Sequence, residues 1–178
     1  MFLDRDGTIN VKPPAGEYVT TPGQLGLLPG AADAIRRLNE AGVRVAVATN
    51  QRGIARGKMT QRDLEAVHAR MRDELARGGA HVDAIYYCPH EDGACACRKP
   101  EPGLLLCAQR EHPDLDFATS AMIGDNESDV QAGRRLGATT VLLRGGAEEP
   151  EHADGDADHV ADTLVDAVDW LGRTRGLG

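Results

Sequence analysis

Aromatic side chains are scarce in this chain: one Trp, three Tyr and two Phe in 178 residues. So few rings leave little on which to stack bases, which argues against a platform for single-stranded nucleic acid. Positive charge is also short. Twenty Lys and Arg face 28 Asp and Glu, for a formal net charge of −8. The basic residues that do cluster lie in helix-like stretches mixed with acids, so they read as salt-bridged surface rather than a nucleic-acid footprint. No apolar run reaches the roughly 18 residues that a membrane-spanning helix needs. The opening M-F-L-D-R-D carries charge too early for a signal peptide. These lacks set the expectation of a cytoplasmic monomer with no nucleic-acid and no membrane partner. They do not exclude an anionic small molecule, because an acidic protein can hold a locally positive site.

What is present suits one domain over residues 1–178, long enough to bury a core, with 41% apolar residues and scattered Gly and Pro. Met1–Leu3 reads as the tail of a buried strand ending at Asp4. That is short for a central strand, so the natural chain is expected to start further upstream. Residues 11–28 are irregular. Pro29-Gly30 opens a helix whose apolar face holds Ile35 and Leu38, and Ala41-Gly42 closes it. V-R-V-A-V-A, residues 43–48, is a strand. Thr60 and Asp63 form a capping pair before a helix with Leu64, Val67, Met71 and Leu75 on one face; Met71 is core. Further strands are expected at 84–87, 120–123, 140–143 and near His159-Val160. Helices are expected over 104–110, 127–136 and up to Trp170, a packing residue. Residues 147–158 form an acidic loop. Strands alternating with helices predict an α/β three-layer sandwich with a mostly parallel sheet.

In such a sheet, ligands bind beyond the carboxyl ends of the strands. The residues expected there are specific: Asp4 and Asp6, then Thr49 and Asn50, then Asp125 with Asp129 a helical turn later. Lys99 follows the third strand. Carboxylates gathered in a crevice repel one another, and a hard divalent cation relieves that. Mg²⁺ takes few carboxylates together with water and phosphate oxygens. Lys99 and Thr49 can hold a second anionic group, and phosphate suits all of these parts. Asp4 is placed as a nucleophile that forms an acyl phosphate. Asp6 can protonate the leaving oxygen and then deprotonate the attacking water. Gly7 lets the backbone turn sharply beside the metal.

Cysteine is also rare, four residues, yet three of them lie in Y-Y-C-P-H-E-D-G-A-C-A-C-R-K-P, residues 86–100. Cys88, His90, Cys95 and Cys97 supply four ligands within ten residues, enough for a closed tetrahedral Zn²⁺ site. A disulfide is disfavoured in a reducing compartment and would leave one cysteine over. A reactive cysteine has no evident base. Zinc at the 88–97 loop would order a segment too short and polar for its own core, and would fix Arg98 and Lys99 over the crevice. Cys107 lies in an apolar helical stretch and reads as core. His68, His81, His112, His152 and His159 carry no ligand spacing and read as surface or local hydrogen-bonding residues.

D-R-D-G-T, T-N-Q, R-K-P and G-D-x-x-x-D, in that order, resemble the four motifs of the haloacid dehalogenase-like (HAD) phosphatases. More narrowly, F-L-D-R-D-G-T-I-N, T-N-Q-R-G-I-A-R-G and Y-Y-C-P-H with C-A-C-R-K-P resemble the D-glycero-D-manno-heptose-1,7-bisphosphate 7-phosphatases, with the histidinol-phosphate phosphatases as close cousins. The resemblance covers residues 1–146. It implies a HAD-like Rossmannoid fold with a minimal cap, and hydrolysis of a sugar phosphate through a phospho-aspartate at Asp4, with Asp6 as acid/base. It implies Mg²⁺ on Asp4, the Asp6 carbonyl and Asp125, with Asp129 in support. Thr49 and Lys99 would hold the transferred phosphoryl group; Asn50 and Arg98 would meet the substrate. Selection falls to the loops 10–22, 51–58 and 88–98. Arg52 stands where these enzymes commonly carry Ser in T-N-Q-S-G; a cation there either favours a second phosphate or points to solvent. Only four residues separate His90 from Cys95, as in the histidinol enzymes. Histidinol phosphate is therefore the alternative substrate. An inactive, zinc-ordered interaction domain is the alternative class.

Overall fold

The computed structural model describes residues 1–144 and 157–175. Six strands form one sheet: β1 (Phe2–Leu3), β2 (Ala46–Asn50), β3 (Ala84–Cys88), β4 (Ala121–Gly124), β5 (Thr139–Leu143) and β6 (His159–Ala161). Their spatial order is β3-β2-β1-β4-β5-β6, and every pairing is parallel. The helices are α1 (Ala31–Glu40), α2 (Gln61–Arg77), α3 (Gly103–Glu111), α4 (Glu127–Arg134) and α5 (Leu164–Arg175). The strand order reverses at β1, so the crevice beyond Asp4 opens between β2 and β4.

The two faces of the sheet bury two separate cores, set by the alternation of side chains along each strand. Leu3, Val45, Val47, Ile123, Val141 and Leu143 face α1, α2 and α5, where Ile35, Met71 and Leu171 are wholly buried. Phe2, Ala46, Ala48 and Met122 face the other way, against Leu104, Leu105 and Ala108 of α3. Gly133 of α4 packs beside Met122 on that second face. The result is helix, sheet and helix in three layers. The expected cap of α2 forms: Thr60 accepts from the Asp63 amide, and the Asp63 carboxylate accepts from the Thr60 amide at 2.8 Å.

Some expectations shift. β2 starts at Ala46 rather than Val43, in register with Phe2 of β1 and Ala84 of β3. α4 stops at Arg134, ahead of Leu136, where the chain turns towards Gly137 at a φ of 75°. Cys107 is half-buried rather than core, with its sulfur 2.8 Å from Arg110 Nη2. Of the two readings of His68, surface or hydrogen-bonding, the second holds: it is buried, with Nε2 3.3 Å from Arg5 Nη1. Trp170 packs as expected, stacked on His159 at 4.4 Å. Most of the expected acidic loop, 147–158, and His152 lie outside the described residues. Among the described residues no helix is long and apolar enough to cross a membrane.

Candidate active site

The carboxyl ends of β1 and β4 bring three acids, Asp4, Asp125 and Asp129, together with two ammonium groups. Asp4 leaves β1 with its amide donating to the Ile123 carbonyl, which seats it at the centre of the sheet. Lys99, 95 residues away in sequence, is buried, and its Nζ donates to Asp4 Oδ1 at 2.8 Å and to the Ala48 carbonyl at 2.6 Å. The same ammonium pairs with Asp129 from the first turn of α4. Oxygens of Asp4, Asp125 and Asp129 lie within 4.8 Å of one another. Lysine occurs only at positions 12, 58 and 99, and Lys12 also reaches this group, donating to Asp125 Oδ2 at 2.6 Å. Nothing in the irregular 11–28 stretch signalled that contact.

Backbone shape makes this crowding possible. Gly7 has a φ of 86°, and a Cβ there would sit 2.1 Å from Asp125 Oδ2. A Cβ on Gly124 would sit 2.1 Å from Asp129 Oδ2. Each acid therefore occupies the space that a missing side chain leaves. The crevice is short of positive charge. Burial, with Asp4 adding to it, pushes the Asp125 carboxyl up despite Lys12. Burial pushes Asp129 up to about 7, against the pull of Lys99. Burial opposes the charge of Lys99, but Asp129 and Asp4 outweigh it and hold its pKa above the ordinary lysine value. Three clustered carboxylate oxygens with excess negative charge fit a hard divalent cation such as Mg²⁺.

Asp6 is held apart from this group. Its carboxylate accepts from Arg5 Nη2 at 2.8 and 2.9 Å, from Asn10 Nδ2 at 2.9 Å and from Gln51 Nε2 at 3.0 Å. Gln51 Nε2 also lies 2.9 Å from Thr49 Oγ1, linking the acid to the buried threonine. Sequence reasoning missed Arg5, Asn10 and Gln51, although Gln51 is the third residue of T-N-Q. Asn50 turns to the backbone: its amide donates to the Lys99 carbonyl at 2.9 Å and accepts from the Lys99 amide at 3.0 Å. It therefore places Lys99, using one of its two Nδ2 protons.

The cysteine loop stands beside this crevice. Cys88 Sγ lies 3.4 Å from Cys95 Sγ, 3.3 Å from Cys97 Sγ and 3.5 Å from His90 Nδ1. Cys97 Sγ is 3.1 Å from Cys95 Sγ and 3.4 Å from His90 Nδ1. A disulfide needs about 2.05 Å, so these are free thiols. A tetrahedron with about 2.3 Å metal–sulfur bonds has edges of about 3.8 Å. The quartet is close to that size, and three sulfurs so near one another fit a shared zinc ion. The loop is tied to β2 and α3: the Gln51 amide donates to the Cys88 carbonyl at 2.7 Å, and Gly103 donates to Ala96 at 3.2 Å.

The rim holds the two expected arginines, but in this structure both are occupied. Arg52 and Arg98 pair with the same carboxylate, Asp92, while Arg56 Nε donates to Glu91 Oε1 at 2.8 Å. The Tyr18 ring packs against Gly53, and the Ala55 amide donates to the Pro89 carbonyl at 3.2 Å. The loops 10–22, 51–58 and 88–98 thus touch around the mouth.

A HAD-hydrolase-like family model matches residues 96–167. The chain is 45% identical over 150 residues to the D-glycero-beta-D-manno-heptose-1,7-bisphosphate 7-phosphatase of Pseudomonas putida, covering 84% of each. It is 36% identical over 181 residues to the D-glycero-alpha-D-manno-heptose-1,7-bisphosphate 7-phosphatase of Mycobacterium bovis, covering 99% of this chain and 93% of the relative. The crystal structure of the D,D-heptose 1,7-bisphosphate phosphatase of B. bronchiseptica, complexed with magnesium and phosphate, matches with a TM-score of 0.85 at 36% identity over 97% of each chain.

Proposed function

The chain belongs to the D-glycero-D-manno-heptose-1,7-bisphosphate 7-phosphatases of the HAD superfamily, and on that premise we propose how its own residues remove the 7-phosphate. The observation that carries the reading is the 2.8 Å contact between Asp4 and buried Lys99, with Asp125 and Asp129 gathered around it. A binding module has no need of such a charge-strained group, and catalytic sites are where strained charge collects.

Lys99 and Thr49 hold the phosphoryl oxygens, and Asn50 fixes Lys99 through its backbone. An oxygen of Asp4 attacks phosphorus while the ester P–O bond breaks, and Asp6 gives its proton to the departing sugar oxygen. Water then attacks the phospho-aspartate, and its proton passes to Asp6. The P–O bond to Asp4 breaks, releasing phosphate and restoring both acids. Asp4, the Asp6 carbonyl and Asp125 would hold Mg²⁺, with Asp129 in support; when bound it offsets the charge gathered on the phosphoryl group. Cys88, His90, Cys95 and Cys97 would hold Zn²⁺ as a closed structural site that keeps Arg98 and Lys99 in place. The three rim loops act as a minimal cap, Arg52 and Arg98 meet the distal phosphate, and the chain works as a cytoplasmic monomer built as one domain.

The test is phosphate release with Mg²⁺ from both heptose bisphosphate anomers and from histidinol phosphate, the substrate that the short 91–94 stretch favours. A higher kcat/KM for either heptose anomer is expected. A preference for histidinol phosphate would overturn the assignment.

A further inference from the structure

Arg5 lies between the two acids of D-R-D and is wholly buried. Its guanidinium turns back on its neighbour: Nη2 reaches both Asp6 oxygens, and Nε donates to Oδ1 at 3.2 Å. The remaining nitrogen, Nη1, lies 3.3 Å from Nε2 of His68 on α2. A guanidinium can only donate, so this Nε2 accepts, and the ring is neutral with its proton on Nδ1. Burial first, and then the charge of Arg5, push His68 down to about 3 against the pull of Asp6. The imidazole is buried and meets the Tyr87 ring edge-on at 5.9 Å, which limits its rotation. A planar fork pinned on one edge by Asp6 and at its far nitrogen by His68 cannot swing.

We propose that Arg5, oriented by the neutral imidazole of His68, is the positioning residue for Asp6, fixing the plane in which that carboxylate exchanges its proton. The inference rests on Asp6 being the acid/base of the proposed function. A purely structural Arg5–His68 pair predicts something different. It would damage both halves of the reaction together, because Asp4 is adjacent in the chain.

4-Nitrophenyl phosphate separates the two. Nitrophenolate departs without a proton, so formation of the phospho-aspartate bypasses Asp6, while its hydrolysis by water does not. In rapid mixing with the Mg²⁺-loaded enzyme, His68→Leu and Arg5→Lys are expected to release the first nitrophenolate within about threefold of the wild-type rate, then to turn over about 10- to 100-fold more slowly, the scale of a misplaced catalytic group. His68→Gln keeps an acceptor towards Nη1 and is expected to return steady turnover to within about threefold of wild type. A first turnover that falls as far as the steady rate would overturn the proposal, as would unchanged steady turnover or a Gln variant no better than Leu. Arg5→Lys decides the matter should the Leu variant fail to fold. Asp6→Asn runs alongside: if its steady turnover is normal, the acid/base role itself fails, whereas a slow Asp6→Asn beside a normal His68→Leu sinks the positioning role alone.

Discussion

The cysteine loop and the acid crevice lie side by side but are built in opposite ways. The loop draws its four ligand atoms from ten consecutive residues, 88–97, and three of its sulfurs lie within 3.4 Å of one another. The crevice draws Asp4, Lys99, Asp125 and Asp129 from positions that only the sheet brings together. Soft ligands close on themselves and leave no open position. Hard carboxylates stay in excess over their two lysines, and burial pushes two of them, Asp125 and Asp129, towards the protonated form. Local sequence can build a closed metal site. A reactive one needs groups that repel, and only a folded scaffold holds repelling groups in place.

The strongest way to break the comparison is to remove the nucleophile without touching the scaffold. Asp4→Asn is expected to cut turnover by at least about 10⁴-fold, as loss of a covalent nucleophile does elsewhere. The fold is expected to survive, because Lys99 keeps Asp129 and the Ala48 carbonyl. Turnover by phosphate release and unfolding by circular dichroism read the two effects separately. Near-normal turnover would remove Asp4 from the chemistry.

Gly124→Ala tests whether repulsion is held in check by backbone space. The new Cβ would sit 2.1 Å from Asp129 Oδ2 and 2.3 Å from its Cγ, so the carboxylate must leave. Lys99 then loses a buried partner. Breaking a buried ion pair costs about 3–5 kcal/mol, and a displaced lysine is expected to lower kcat about 100-fold. Gly26→Ala, with nothing within 4 Å of its Cβ, is the control. A Gly124→Ala enzyme that matches the control in Tm and kcat would show that the acids are not tightly placed.

This contrast also explains what could be read from the sequence. Strand ends were legible because polar residues interrupt apolar runs at Asp4, Thr49 and Asp125. The grouping of Cys88, His90, Cys95 and Cys97 was legible because it is local. His68 was less visible although a signal existed: it stands four residues after Leu64 and three before Met71, on the buried face of α2, where a titratable ring needs a partner. Arg5 gave no such signal, since an arginine between two aspartates usually marks surface. Lys12 lies in an irregular segment, and only tertiary structure brings it to Asp125. The start of β2 is set by its register with Phe2 and Ala84 on either side, which no property of V-R-V-A-V-A itself reveals.

Treating the protein with a chelator tests whether the cysteine loop matters to the crevice. Chelation, or Cys97→Ser, is expected to release about one zinc per chain, the stoichiometry of a closed four-ligand site. Arg98 and Lys99 directly follow Cys97, so a loosened loop is expected to lower activity about 10- to 100-fold even with Mg²⁺ in excess. Zn²⁺, and not further Mg²⁺, should restore it in the chelated protein. Full activity in a zinc-free chain, shown by metal analysis, would mean that the two regions are neighbours without coupling.

The smallest effects are expected at the rim, where the loop meets the crevice mouth. Arg52 and Arg98 both hold Asp92, a mostly exposed side chain, and exposed pairs are worth only about 0–1 kcal/mol. A phosphate dianion offers more charge and two parallel bonds to a guanidinium, so a bisphosphate can displace Asp92 at little cost. Histidinol phosphate would bring an ammonium to the same arginines, a like-charge approach. Arg98→Ala is therefore expected to raise KM for the heptose bisphosphate about tenfold, one charge-assisted contact's worth. Arg52→Ser, which removes the more loosely placed cation, should raise it about threefold. Neither should raise KM for histidinol phosphate as far, so the readout is the ratio of kcat/KM for the two substrates at matched ionic strength. A heptose preference that survives both substitutions unchanged would leave the substrate standing and move its selection away from the rim, to loop 10–22 and the backbone of the crevice.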